Sequence, residues 1–132
     1  MKTLIVEDDL SSRIILQQIL NPYGSCTIAV NGLEAVELFK IALAENSRFD
    51  LVCLDIMMPV MDGLQALKKM REIEHENKID YGDETYIVMM TALDTPQDVI
   101  SAYYEGSCSS YTVKPINKRK LLTKLREDGL IK

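Results

Sequence analysis

The sequence predicts an α/β fold, a doubly wound parallel sheet of five strands with helices on both faces, as three layers. Short β-rich apolar runs alternate five times with longer amphipathic stretches, the order that builds a parallel sheet through crossover connections. The third run, Leu51-Val52-Cys53-Leu54, is apolar at every position, as expected of a strand covered on both faces. A length of 132 residues with 47% apolar content suits one compact domain, residues 1–132. A domain of that size buries roughly two-thirds of the surface its unfolded chain exposes, so it needs no disulfide or metal to fold.

Thr3-Leu4-Ile5-Val6 reads as the first strand. Ser12 to Leu20 then places Ile15, Leu16 and Ile19 at helical spacing, and Asn21-Pro22 stops the helix. Cys26 to Val30 is the second strand. Asn31 offers a helix cap with Glu34 as its partner three residues on, and Val36, Phe39 and Leu43 mark the buried stripe. Asp50 to Leu54 is the third strand. A helix from about Gly63 to Glu74 turns Leu64, Leu67 and Met70 inward. The polar stretch from Glu74 to Glu84 extends that helix or forms a surface loop. Tyr86 to Met90 is the fourth strand. Thr95 caps a fourth helix with Pro96 at its first position and Asp98 near the positive end of its dipole. Ser110 to Val113 is the fifth strand, and Asn117 caps a last helix carrying Leu121, Leu122 and Leu125 on one side.

Composition narrows the function. A formal net charge of -5 argues against non-specific nucleic-acid binding, which relies on surplus Lys and Arg. Cys26, Cys53 and Cys108 are odd in number and form no CxxC pair, so neither a disulfide framework nor a zinc site is indicated. No apolar run approaches the ~18 residues of a membrane span, and the N-terminus enters a strand-like run at once. A cytoplasmic location is expected.

In doubly wound sheets, ligands bind outside the carboxyl ends of the strands. Asp8 and Asp9 follow the first strand with Glu7 beside them, Asp55 follows the third, Thr91 the fourth and Lys114 the fifth. Carboxylates brought together repel one another, and a hard divalent cation relieves the repulsion. Mg²⁺ suits a few carboxylate or carbonyl oxygens, with Mn²⁺ as an alternative. One carboxylate can then act as a nucleophile toward phosphorus. Phosphoryl transfer needs mainly positioning and neutralisation of oxygen charge, which the cation, Lys114 and Thr91 can supply.

At these positions the chain resembles the response-regulator receiver family, typified by the bacterial chemotaxis regulator. Leu4-Ile5-Val6-Glu7-Asp8-Asp9 resembles the family's opening acidic pair. Leu54-Asp55-Ile56-Met57-Met58-Pro59-Val60-Met61-Asp62-Gly63 resembles its phosphoacceptor signature. Met90-Thr91-Ala92 resembles its hydroxyl position, and Tyr111-Thr112-Val113-Lys114-Pro115 its switch aromatic and lysine-proline pair. The resemblance implies a flavodoxin-like sheet of order 2-1-3-4-5. It implies phosphorylation of Asp55 by a histidine kinase or phosphotransfer protein, and a Mg²⁺ site formed by Asp8, Asp9, Asp55 and the backbone carbonyl of Met57. It also implies phosphoryl contacts from Thr91 and Lys114, a switch made by Thr91 and Tyr111, and a cis bond before Pro115. The readout is expected on the face of the fourth helix, fifth strand and fifth helix, including Tyr103, Tyr104, Ser107 and Ser110, toward a protein target rather than nucleic acid or membrane.

Met57 and Leu93 are apolar at positions that influence access of water to the acyl phosphate in this family, so slowed or redirected hydrolysis is expected. Asn117-Lys118-Arg119-Lys120 places cations at a helix start, against its dipole, as solvated residues or as a dock for an acidic partner. Two other functions fit less of the pattern. An aspartate-nucleophile phosphatase normally carries a second Asp where Met57 stands. A degenerate receiver that binds partners without phosphorylation would not need all five key positions. Neither GxGxxG nor GxxxxGK[ST] occurs, which speaks against a nucleotide domain.

Overall fold

The computed structural model describes residues 1–92 and 108–132. Strands β1 (Lys2–Val6), β2 (Ser25–Ala29), β3 (Leu51–Asp55), β4 (Tyr86–Thr91) and β5 (Ser110–Val113) alternate with helices α1 (Leu10–Leu20), α2 (Gly32–Ala44), α3 (Gly63–Glu76) and α4 (Lys118–Glu127). All strand pairs are parallel, in the order β2-β1-β3-β4-β5. This is the doubly wound fold read from the alternation. The expected helix opening at Thr95 and Pro96 lies outside the described residues, as do Leu93, Tyr103, Tyr104 and Ser107.

The sheet separates two cores. Phe39, Val36 and Ala42 of α2 and Leu67, Met70 and Ile73 of α3 pack with Leu4, Val52 and Ile87. On the other face Leu16, Ile19 and Leu20 of α1 and Leu121, Leu122 and Leu125 of α4 pack with Ile5, Cys53 and Val88. β3 is buried along its whole length, which explains its unbroken apolar run. Burial pushes the Cys53 thiol up to about 12, leaving it an inert core residue. No helix among the described residues is long and apolar enough to cross a membrane.

Several boundaries and faces shift from the expectation. Ile15 is 42% exposed and Leu20 fully buried, so the inward stripe of α1 is Leu16, Ile19 and Leu20. Leu43 and Leu64 lie only partly buried at the margin of their core. β3 extends to Asp55, making that residue the last of the strand rather than the first of the loop. The Glu74–Glu84 stretch is divided: α3 continues to Glu76, and a short 3-10 turn covers Tyr81–Asp83. Glu74 is not a surface residue. It is buried, its Oε1 accepts from Arg71 Nη1 at 2.6 Å, and its Oε2 accepts from the Thr85 amide at 2.7 Å. Arg71 also donates to the Thr85 carbonyl at 2.9 Å. These bonds anchor the end of α3 to the start of β4, as a buried carboxylate requires.

Candidate functional site

The site forms where the strands end at their carboxyl side. Glu7 follows β1, and its amide donates to the Ala29 carbonyl at 3.0 Å, prolonging the β1–β2 ladder by one residue. That pairing turns the Glu7 side chain into the sheet edge, where it is fully buried. Glu7, Asp8 and Asp55 each bring a carboxylate oxygen within 4.8 Å of the others. Lys114, just beyond β5, lies between them. Its Nζ stands 2.8 Å from Glu7 Oε2 and 3.1 Å from Asp55 Oδ1. Thr91, at the end of β4, is fully buried, with its hydroxyl 3.4 Å from the Thr112 carbonyl.

The acidic group is thus displaced by one residue from the expected pair. Glu7 joins Asp8, whereas Asp9 turns away as the cap of α1. The Asp9 carboxylate accepts from the amide and the hydroxyl of Ser12, each at 2.9 Å, and these bonds hold its acidity below the usual carboxylate range. Tyr111 faces outward, 41% exposed. The Lys114–Pro115 peptide is cis.

The electrostatics follow from burial and contact. Burial pushes the Glu7 carboxyl up to about 7, the Lys114 bond pulls against that, and the Asp55 charge adds to it. For Lys114, burial alone would lower the basicity, but the bond to Glu7 and the charge of Asp55 outweigh it and hold the ammonium above its ordinary range. Because the Glu7 carboxyl is raised to about 7 when folded from its ordinary value of 4.5, the folded state holds its proton more tightly. The stability from this group is complete below pH 4.5 and is lost as the pH rises through 7. Thermal unfolding in chelator is therefore expected to show a downward contribution across that window. Glu7→Gln should flatten it; an unchanged slope would contradict the assignment.

The β3–α3 loop frames the site. Asp62 and Gln65 form a reciprocal capping box at the start of α3. The Gly63 amide donates to the Ile56 carbonyl at 2.9 Å, and the Gly32 amide donates to the Met61 carbonyl at 3.1 Å. A Cβ on Gly63 would lie 2.2 Å from the Asp55 backbone oxygen, and one on Gly32 would lie 2.4 Å from that of Met61. Between these ties the Met61 amide donates to the Pro59 carbonyl at 2.8 Å. That bond encloses Val60, whose φ is 70°, in a γ-turn of the rare, strained hand. A left-handed conformation costs an ordinary residue about 1–2 kcal/mol, and the Val60 side chain, 77% exposed, recovers little of it by packing. Glycine relieves the strain against its own entropy cost of about 0.5–1 kcal/mol. Val60→Gly is expected to raise unfolding stability by about 0.5–1 kcal/mol, read from the urea midpoint.

Comparison with known proteins agrees with this fold. Residues 3–126 match the response regulator receiver domain family. The chemotaxis protein CheY of Treponema pallidum is 32% identical over 126 residues, covering 94% of this chain and 79% of its own. The probable transcriptional regulator ycf29 of Porphyra purpurea is 32% identical over 93% of this chain but only 53% of its own length. The chain thus spans about half the length of the transcriptional-regulator relative. Among solved structures, the receiver domain of the Saccharomyces cerevisiae response regulator Ssk1, in a co-crystal with the histidine phosphotransfer protein Ypd1, is 30% identical with a TM-score of 0.79. That alignment covers 96% of this chain and 87% of that one. The receiver domain of the Arabidopsis thaliana histidine kinase CKI1, complexed with Mg²⁺, shares the fold with a TM-score of 0.83 at 23% identity, over 96% of this chain and 90% of that one. A family match over nearly the whole length, joined to a relative that is itself mostly covered, makes the chain a member of the response regulator receiver domain family of two-component signalling.

Proposed function

We propose that the domain is a phosphorylation-controlled switch that accepts a phosphoryl group on Asp55 from the phosphohistidine of a histidine kinase or phosphotransfer protein. The observation that carries this reading is the convergence of Glu7, Asp8 and Asp55 within 4.8 Å, with Lys114 3.1 Å from Asp55. Three carboxylates so close, with Glu7 and Asp55 buried, need counter-charge beyond one ammonium. The all-oxygen donor set fits a hard divalent cation such as Mg²⁺, or Mn²⁺ in its place. Glu7, Asp8, Asp55 and the Met57 carbonyl would hold it. Asp9, expected among the ligands, is occupied as a helix cap. When bound, the ion supplies positive charge that lessens repulsion among the carboxylates and offsets charge on the phosphoryl oxygens.

In the transfer, an Asp55 carboxylate oxygen forms the new P–O bond as the donor's P–N bond breaks. The imidazole nitrogen keeps the bonding pair and takes a proton from solvent. Lys114 offsets charge on the phosphoryl oxygens, and Thr91 donates a hydrogen bond to them. Thr91 moving toward the phosphate and Tyr111 turning inward would bias a pre-existing equilibrium of the β5–α4 face. That face presents a groove of about 690 Å³ lined by Tyr111, Val113, Pro115, Lys120 and Lys124 among others. It suits a downstream protein target, and the exposed Lys118, Arg119 and Lys120 favour an acidic one. The domain acts in the cytoplasm as a switch, without turnover of external substrates. Its apolar Met57 slows hydrolysis of the acyl phosphate.

Incubation with acetyl phosphate and Mg²⁺ is expected to add one phosphoryl group, stable in acid and labile in base, and chelation should prevent it. Turnover of small phosphate esters without a protein adduct would instead indicate a hydrolase. The absence of any adduct, with partner binding indifferent to phosphodonor, would indicate a phosphorylation-independent binding module.

A further inference from the structure

The sulfur atoms of the chain are shielded, wholly or in part, at every position but one. Cys53 is buried in the core. Cys26 and Cys108 are partly buried, and burial raises their thiols above the ordinary range, which keeps them from the reactive thiolate form. Of the seven methionines, Met70, Met89 and Met90 are fully buried. Met1, Met58 and Met61 are partly buried against the two cores. Met57 is 73% exposed and belongs to neither core. Its place in the chain gives that exposure a consequence. Asp55 ends β3 as a buried residue, the Ile56 side chain enters the core of α2 and α3, and the Ile56 amide donates to the Met90 carbonyl at 3.3 Å. Met57 is thus the first side chain beyond the phosphoacceptor to stand in solvent.

We propose that Met57 is an oxidation site, through which hydrogen peroxide shortens the lifetime of the phosphorylated state. This rests on Asp55 being the phosphoacceptor. The sulfur lone pair attacks one peroxide oxygen, forming an S–O bond as the O–O bond breaks. Sulfur gives up two electrons to the peroxide. The departing hydroxide takes the proton of the transferred oxygen and leaves as water. A thioether is a weak hydrogen-bond acceptor, whereas its sulfoxide is polar. The sulfoxide oxygen accepts a hydrogen bond from a water beside the acyl phosphate and orients it toward phosphorus. The water oxygen then bonds to phosphorus as the bond to the Asp55 oxygen breaks. Inorganic phosphate leaves, the carboxylate is restored and the surplus proton goes to solvent. The phosphoryl group sets the switch, and the oxidant resets it. Methionine sulfoxide reductases reverse this oxidation, so the sensitivity to peroxide is itself reversible.

The test treats the wild type and Met57→Leu with dilute hydrogen peroxide, removes the excess with catalase and maps the added oxygen by peptide mass spectrometry. Leucine is close to methionine in size and carries no sulfur, and the position is exposed, so the variant should fold. The first oxygen is expected on Met57 in the wild type, and Met57→Leu should gain none at the same dose. Each chain, oxidised or not, is then labelled with acetyl phosphate and Mg²⁺, freed of donor, and followed by intact mass as the phosphoryl group is lost. Oxidation should shorten the half-life in the wild type about fivefold, the worth of one hydrogen bond of about 1 kcal/mol to the attacking water. Peroxide should leave the half-life of Met57→Leu as it was, and sulfoxide reductase should restore that of the oxidised wild type. A first oxygen on another residue would overturn the site. An unchanged or longer half-life in the oxidised wild type, or equal shortening in Met57→Leu, would overturn the reset. Failure of acetyl phosphate to label the unoxidised wild type would overturn the phosphoacceptor reading, and the reset with it.

Discussion

Asp55→Asn is expected to take no phosphoryl group from acetyl phosphate or from a protein donor, while folding as well as the wild type or better. The amide lacks the anionic oxygen that forms the P–O bond, so the loss should be complete. The fold should not suffer. Asp55 contributes one of three carboxylates within 4.8 Å of one another, and Lys114 keeps Glu7 at 2.8 Å when Asp55 is neutral. Removing one buried negative charge relieves repulsion without stranding the ammonium. Thermal unfolding in chelator should show stability unchanged or raised by up to about 1 kcal/mol. Intact-protein mass spectrometry reads the first effect. Labelling of Asp55→Asn would place the acceptor elsewhere, and a large loss of stability would mean that Asp55 is a structural partner of Lys114.

Gly63→Ala should damage both fold and site. The added Cβ would meet the Asp55 carbonyl oxygen at 2.2 Å and the Ile56 Cα at 2.9 Å. Both atoms are backbone of a buried strand end, so rotation of a side chain cannot make room. The cost should be about 2–4 kcal/mol. Relief requires the end of β3 to move away from α3, carrying the Asp55 carboxylate with it. A displacement of about 1 Å at a reacting group is worth roughly a hundredfold in rate. Folded Gly63→Ala is therefore expected to accept phosphate from acetyl phosphate about a hundredfold more slowly. Wild-type stability and rate in this variant would show that the loop is looser than the contacts indicate.

Much of the architecture was legible because hydrophobic periodicity reports burial directly. The unbroken apolar run of β3 and the stripes Val36–Phe39 and Leu121–Leu125 led to the doubly wound sheet and both helical layers, whereas the strand order came from the family resemblance. Ile15 misled because helical spacing identifies a stripe without locating its centre, which Leu20 moves to the other side. Glu7 was passed over because three acids in a row offer no periodicity. A signal for the register was nevertheless present: Asp9 with Ser12 three residues on resembles a helix cap, leaving Glu7 and Asp8 for the site. The burial of Glu74 depends on Arg71 and on the Thr85 amide eleven positions away, a pairing made only in the tertiary structure. The φ of Val60 was hidden for a similar reason, since valine prefers negative φ and only the ties through Gly32 and Gly63 impose the opposite.

Calorimetric titration with Mg²⁺ of the wild type, Asp8→Asn and Asp9→Asn separates the carboxylates that converge from the one that caps a helix. Asparagine is as good a cap as aspartate, so Asp9→Asn keeps α1 in place. One site is expected in the wild type and in Asp9→Asn with similar affinity, and in Asp8→Asn it should weaken at least about tenfold. Intact binding in Asp8→Asn with loss in Asp9→Asn, or no saturable site in the wild type, would contradict a cation held by Glu7, Asp8 and Asp55.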